Sequence, residues 1–91
     1  DLDVCFFFFF CVYESRILPV LKAAPDISGI ERLYDYCGTP ECICYRLEYT
    51  GSREELEIWL HENLRTSQVT SFKMVPRDKN RLDVVFDGGF E

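Results

Sequence analysis

Five cysteines, at positions 5, 11, 37, 42 and 44, and a single histidine, His61, carry the most reactive side chains in this sequence. Thiolates hold zinc or iron when four of them converge on a tetrahedron. Cys11, Cys37, Cys42 and Cys44 are the candidates, because the strand pattern described below brings them to one end of a sheet. Their spacing, Cys37-x4-Cys42-x-Cys44, argues otherwise, since residues two apart on a rigid strand sit too far apart to chelate one ion easily. The plainer expectation is no metal and no cofactor, with cysteine acting as a small apolar side chain on a half-covered surface. A Cys37–Cys42 disulfide across a turn is the other use open to that pair. An odd number of thiols leaves at least one unpaired in a monomer, and reduced thiols in a cytoplasmic setting are the expectation.

Any cysteine–histidine or serine–histidine couple has to use His61, which falls on a helix beside Glu57 and Glu62. That is a solvated position with no activating partner. Asp35, Glu48, Asp83 and Asp87 are spread along strands rather than gathered, as solubilising charges are. Asp87-Gly88-Gly89-Phe90 has glycines but no following helix to cradle a phosphate, so it reads as a chain exit. Together these features argue against an enzyme.

Composition narrows the class further. With 47% hydrophobic and 29% charged residues the chain is globular, and it lacks the apolar run a membrane-spanning helix needs. Its 91 residues make one domain, spanning 1–91. The chain opens on Asp1 with no basic leader, which suits a processed product or a piece of a larger protein better than a signal peptide. Sixteen acidic against ten basic residues, net −6, repel phosphate and disfavour nucleic acid.

The elements that must position these residues read strand, helix, strand, strand, helix, strand, strand. The first strand covers about Asp3 to Tyr13 and contains five consecutive phenylalanines, Phe6 to Phe10. A helix follows over Ser15 to Ala24, with Pro19 suggesting a regular start near Leu18. Strands Ile30 to Cys37 and Cys42 to Thr50 are joined by Gly38-Thr39-Pro40-Glu41. That loop sets Ile30, Tyr34, Tyr36, Ile43, Tyr45, Leu47 and Tyr49 on a core face. Ser52-Arg53-Glu54-Glu55 is a capping box for the second helix, in which Leu56, Trp59, Leu60 and Leu64 fall at helical spacing. The last hairpin pairs Val69–Val75 with Arg81–Asp87 through a three-residue loop ending in a left-handed Asn80. This order predicts an α+β fold: a ferredoxin-like βαββαβ antiparallel sheet, two helices on one face, and an extra C-terminal hairpin strand.

Side chains on a strand alternate between faces, so the unbroken phenylalanine run calls for a dry environment on both. Val4, Phe6, Phe8, Phe10 and Val12 fit the helix-covered face. Asp3, Cys5, Phe7, Phe9, Cys11 and Tyr13 take the other. With Leu33, Cys44, Val75 and Val85 they predict an apolar band on an open sheet face, edged by Arg46 and other charges, as at a protein interface. RNA-recognition motifs use such a face, with Phe7 and Phe9 as stacking platforms. Strand three, however, offers Cys42, Cys44 and Arg46 and no aromatic ring.

Two resemblances bear on this reading. Ile30-Glu31-Arg32-Leu33-Tyr34-Asp35-Tyr36, followed by Cys44-Tyr45-Arg46-Leu47-Glu48-Tyr49, resembles the middle strands of the ferredoxin-fold anticodon-binding domain of phenylalanyl-tRNA synthetases. The stretch from Tyr45 to Leu64 resembles the strand–Gly–helix unit of ACT-type amino-acid-sensing domains. Both imply a ferredoxin-like fold, and the second implies a small amino-acid ligand. The functional expectation is a non-catalytic interaction or regulatory module working through its aromatic, cysteine-lined sheet face. Its partner would be a second copy in a homodimer or an adjoining domain, with no membrane involved. An ACT-like sensor of a small apolar or amino-acid ligand is the alternative, and a thiol-based metal or redox protein the second.

Overall fold

The computed structural model describes residues 2–65 and 72–87. The elements are β1 (Leu2–Phe8), α1 (Cys11–Ala23), β2 (Ile27–Leu33), β3 (Ile43–Tyr49), α2 (Arg53–Leu64), β4 (Lys73–Asp78) and β5 (Arg81–Phe86). The fold is α+β, with one five-stranded mixed sheet in the order β2-β3-β1-β5-β4. β1 is central, antiparallel to β3 as expected, but its other neighbour is β5, to which it runs parallel. The ferredoxin-like antiparallel order is therefore not what forms, because the last strand inserts between β1 and β4. Pro76 supplies the reason: it has no amide hydrogen for a second neighbour, so β4 suits an edge. β5 is buried along most of its length and needs a neighbour on each side.

The core lies between the helices and one face of the sheet. Val4, Phe6 and Phe8 meet Leu47, Tyr49, Leu82, Val84 and Phe86 there, beneath Tyr13, Ile17 and Leu21 of α1 and Leu56, Leu60 and Leu64 of α2. The rings of Phe6, Phe8 and Phe86 stack with centroids 5.1 to 6.1 Å apart. α2 starts as its sequence dictates, the Ser52 hydroxyl accepting the Glu55 amide at 3.2 Å. Gly51 before it is needed for closeness, since a Cβ there would stand 2.7 Å from the buried Tyr49 ring.

Four local expectations are corrected. β1 stops at Phe8 instead of Tyr13, and α1 runs from Cys11 straight through Pro19 rather than beginning near Leu18. Tyr13, Ile17 and Leu21, spaced by four, are buried on one side of that helix, and this packing outweighs the β preference of Val12 and Tyr13. Phe10 and Val12 thus leave the core, while Tyr13 enters it.

β2 pairs as Glu31 with Arg46 and Leu33 with Cys44, two residues away from the expected register, with a bulge at the left-handed Gly29. An even shift preserves the faces of Leu33, Cys44 and Arg46. The segment 34–42 becomes a loop turned by left-handed Asp35 and Gly38 and closed by a Cys37–Cys42 disulfide. Tyr34 and Tyr36 are therefore exposed, not core, and the expectation of reduced thiols fails at this pair.

The final turn is a two-residue turn, Lys79-Asn80, capped by the Asp78 carboxylate accepting the Asn80 amide at 2.8 Å. Asn80 is not left-handed; a register shift between Pro76 and Asp78 restores the pairing that a longer loop would have given. The expected strand residues Val69 to Ser71, and the chain exit at Gly88 to Phe90, lie outside the described residues.

Candidate functional site

Strand parity gathers Cys5 and Phe7, Leu33, Cys44 and Arg46, Val75, and Arg81, Asp83 and Val85 on the sheet face opposite the helices. Cys5 lies opposite Arg46 on one side and Asp83 on the other; Phe7 lies between Cys44 and Val85. This is not the bare apolar band expected from the sequence. Cys5 is 3% exposed, Cys44 1% and Asp83 3%. Leu33, Phe7, Val75 and Val85 are half-buried.

The cover comes from the chain itself. Asp83 accepts from Arg77 Nε at 2.7 Å and from Arg81 Nε at 3.3 Å. Arg81 Nη2 donates to the Tyr36 hydroxyl at 2.6 Å, and the Tyr36 ring lies 6.0 Å from that of Phe7. Arg46 pairs with Asp3, and Lys73 with Asp87, each at 3.2 Å. Guanidinium stems and a loop tyrosine thus cover surface that a partner had been expected to cover. Asp83 is correspondingly a buried, doubly paired carboxylate and not a solubilising charge.

Beneath this cover the two thiols interact. The Cys44 thiol donates to the Cys5 sulfur, which draws Cys5 down from 9.0 to about 7 against the opposing effect of burial, with help from Arg81. The same hydrogen bond, reinforced by burial, pushes Cys44 up. Arg81 is held more firmly protonated by its bond to Tyr36.

At the end of the sheet the surface changes character. Phe9 and Phe10, past the end of β1, are 37% and 45% exposed. Phe9 lines three adjoining recesses. One, with Phe7, Tyr36, Val85 and the Cys37–Cys42 loop, opens on the sheet face. Another, with Phe10, Glu41, Val85 and Asp87, crosses the sheet's end. The third continues over Pro40 and Ile43 to Cys11 and Val12 of α1. Sharing Phe9, they adjoin as an aromatic groove whose charged lining is Glu41, Asp87, Asp83 and Arg77.

No family model, no curated protein and no solved structure matches this chain. Neither resemblance noted above is carried by a match.

The four-cysteine cluster does not assemble. Cys37 and Cys42 are bonded to each other, Cys11 is exposed on α1, and Cys44 is buried beside Cys5 instead. Among the described residues no group of three or more His, Cys, Asp or Glu side chains converges to hold a metal. His61 is exposed on α2 with its ring 4.8 Å from that of Phe72. Among the described residues no helix is long and apolar enough to cross a membrane. Sequence reasoning missed Arg81, Asp83 and Tyr36 as a unit. Part of the signal was present: an acid in the middle of the apolar run Leu82–Phe86, with an arginine two residues before it on the same face.

Proposed function

We propose that this chain is a non-catalytic binding module whose working surface is the aromatic groove around Phe9 and Phe10, not the centre of the sheet face. The observation that carries the reading is Phe9, a large apolar side chain left outside the core and common to three connected recesses. A concave apolar surface with a polar rim is the usual form of a recognition site. The occupant argued for is a protein segment presenting a large apolar side chain flanked by lysine or arginine. The rim acid Glu41 and the net charge of −6 favour such a partner, whereas a second copy would bring the same acid and the same excess of negative charge.

Fluorescence anisotropy with labelled peptides tests this. Peptides of the form basic–aromatic–basic are expected to bind, with affinity falling in Phe9→Asp and in Glu41→Lys while the fold is kept. Equal binding of acidic–aromatic peptides would refute the charge argument. Light scattering decides the remaining occupant: a concentration-dependent dimer abolished by Phe9→Asp would replace the peptide partner by a second copy.

A further inference from the structure

We propose that Cys5 and Cys44 form a two-coordinate thiolate site for a soft monovalent cation of the copper(I) class, buried between β1 and β3 on the sheet face that carries Arg46 and Arg81. The site is separate from the aromatic groove, and either reading can fail without the other.

The pair occupies one face of the two strands at the middle of the sheet. Cys5 faces Arg46 and Cys44 faces Phe7, so the cysteines are diagonal neighbours. Both side chains are buried on that face. Diagonal positions on paired strands lie about 7–8 Å apart. A disulfide bridges Cα atoms only up to about 7 Å without moving the backbone. β1 is held on both sides, by β3 and by β5, so a movement that closed the gap would disturb two registers. A bridging cation needs no such movement. Two metal–sulfur bonds of about 2.3 Å each separate the sulfurs by more than twice the length of an S–S bond.

The donor set selects the ion. Thiolates favour soft cations, copper(I) foremost, and a filled d-shell monovalent ion accepts two ligands in a line. Zinc wants four ligands. The remaining described cysteines do not supply them, because Cys37 and Cys42 are bonded to each other and Cys11 is on α1. The Asp83 carboxylate is a hard donor already engaged by Arg77 and Arg81. Binding exchanges the two thiol protons for one monovalent cation, leaving a bis-thiolate unit of charge −1. Arg77 and Arg81 share the single Asp83 carboxylate opposite Cys5, which leaves one positive charge there to balance it.

The test uses the whole chain carrying Cys11→Ser, which removes the exposed thiol, with the Cys37–Cys42 disulfide intact. Silver(I), and copper(I) without oxygen against a coloured chelator, are titrated and the product is weighed by native mass spectrometry. One equivalent is expected. Removing either ligand, by Cys5→Ser or Cys44→Ser, is expected to weaken binding by more than the roughly 10–100-fold that outer-shell changes cost. If a serine variant fails to fold, Arg81→Gln keeps both thiols and is expected to weaken binding within that roughly 10–100-fold range. One equivalent retained at full affinity in a folded serine variant overturns the proposal. So does native protein that loses two hydrogens under mild peroxide with Cys5 joined to Cys44, because the pair would then close without a metal.

Discussion

The sharpest test of this structure is an alanine scan through Phe6 to Tyr13, because the alternation of a strand and the geometry observed here disagree from Phe10 onward. Phe6 and Phe8 are fully buried in the ring stack with Phe86, so Phe6→Ala and Phe8→Ala should each cost about 3–5 kcal/mol. Phe7, half-covered by Tyr36, should cost about 1–2 kcal/mol, near half the value of a fully buried ring. Phe9, Phe10 and Val12, exposed by 37%, 45% and 40%, should each cost less than about 1 kcal/mol. Tyr13 is buried with its ring 6.3 Å from that of Phe86, and Tyr13→Ala should cost about 3 kcal/mol. Urea unfolding followed by circular dichroism reads these differences. With a slope near 1–1.5 kcal/mol per molar, a loss of 4 kcal/mol moves the midpoint by about 3 M. The helical start at Cys11 is refuted if Phe10→Ala and Val12→Ala cost as much as Phe8→Ala while Tyr13→Ala is silent.

Two further outcomes follow from the thiols. In Cys11→Ser protein, thiolate absorbance should show a step near pH 7 from Cys5, because the Cys44 thiol stabilises the ionised form. Cys44→Ala removes that donor and should move the step up toward 9.0, whereas an unmoved midpoint would assign the effect elsewhere. Replacing Cys37 and Cys42 by serine should cost roughly 2 kcal/mol, the loop-closure value for a bridge between residues five apart. It should also speed alkylation of Cys5 and Cys44 by loosening Tyr36, and unchanged labelling rates would show that the loop does not guard them.

Much of the architecture could be read from residue patterns because those patterns are local. Ser52 and the run Leu56, Leu60, Leu64 announce α2, and the double-sided apolar character of β1 announces a central strand. What failed did so where local signals are silent or conflict. No side chain caps α1, so the passage from Phe8 to Cys11 carries no boundary mark, and its position follows from the packing of Tyr13, Ile17 and Leu21. The register of β2 was misjudged because Gly38-Thr39-Pro40-Glu41 suits a tight hairpin, while Asp35 adopts a left-handed turn that its type only weakly favours.

The same division runs through the candidate site. Strand parity alone assigned Cys5, Phe7, Leu33, Cys44, Arg46, Val75 and Val85 to a common side, since alternation is a property of the backbone. Whether that side stays open depended on Arg81 reaching Tyr36, 45 residues away in the chain. Pairings of that range arise only after β5 has entered the sheet beside β1. Side-chain chemistry and periodicity therefore determined what the chain could build, and long-range strand order decided which of its apolar residues remained outside.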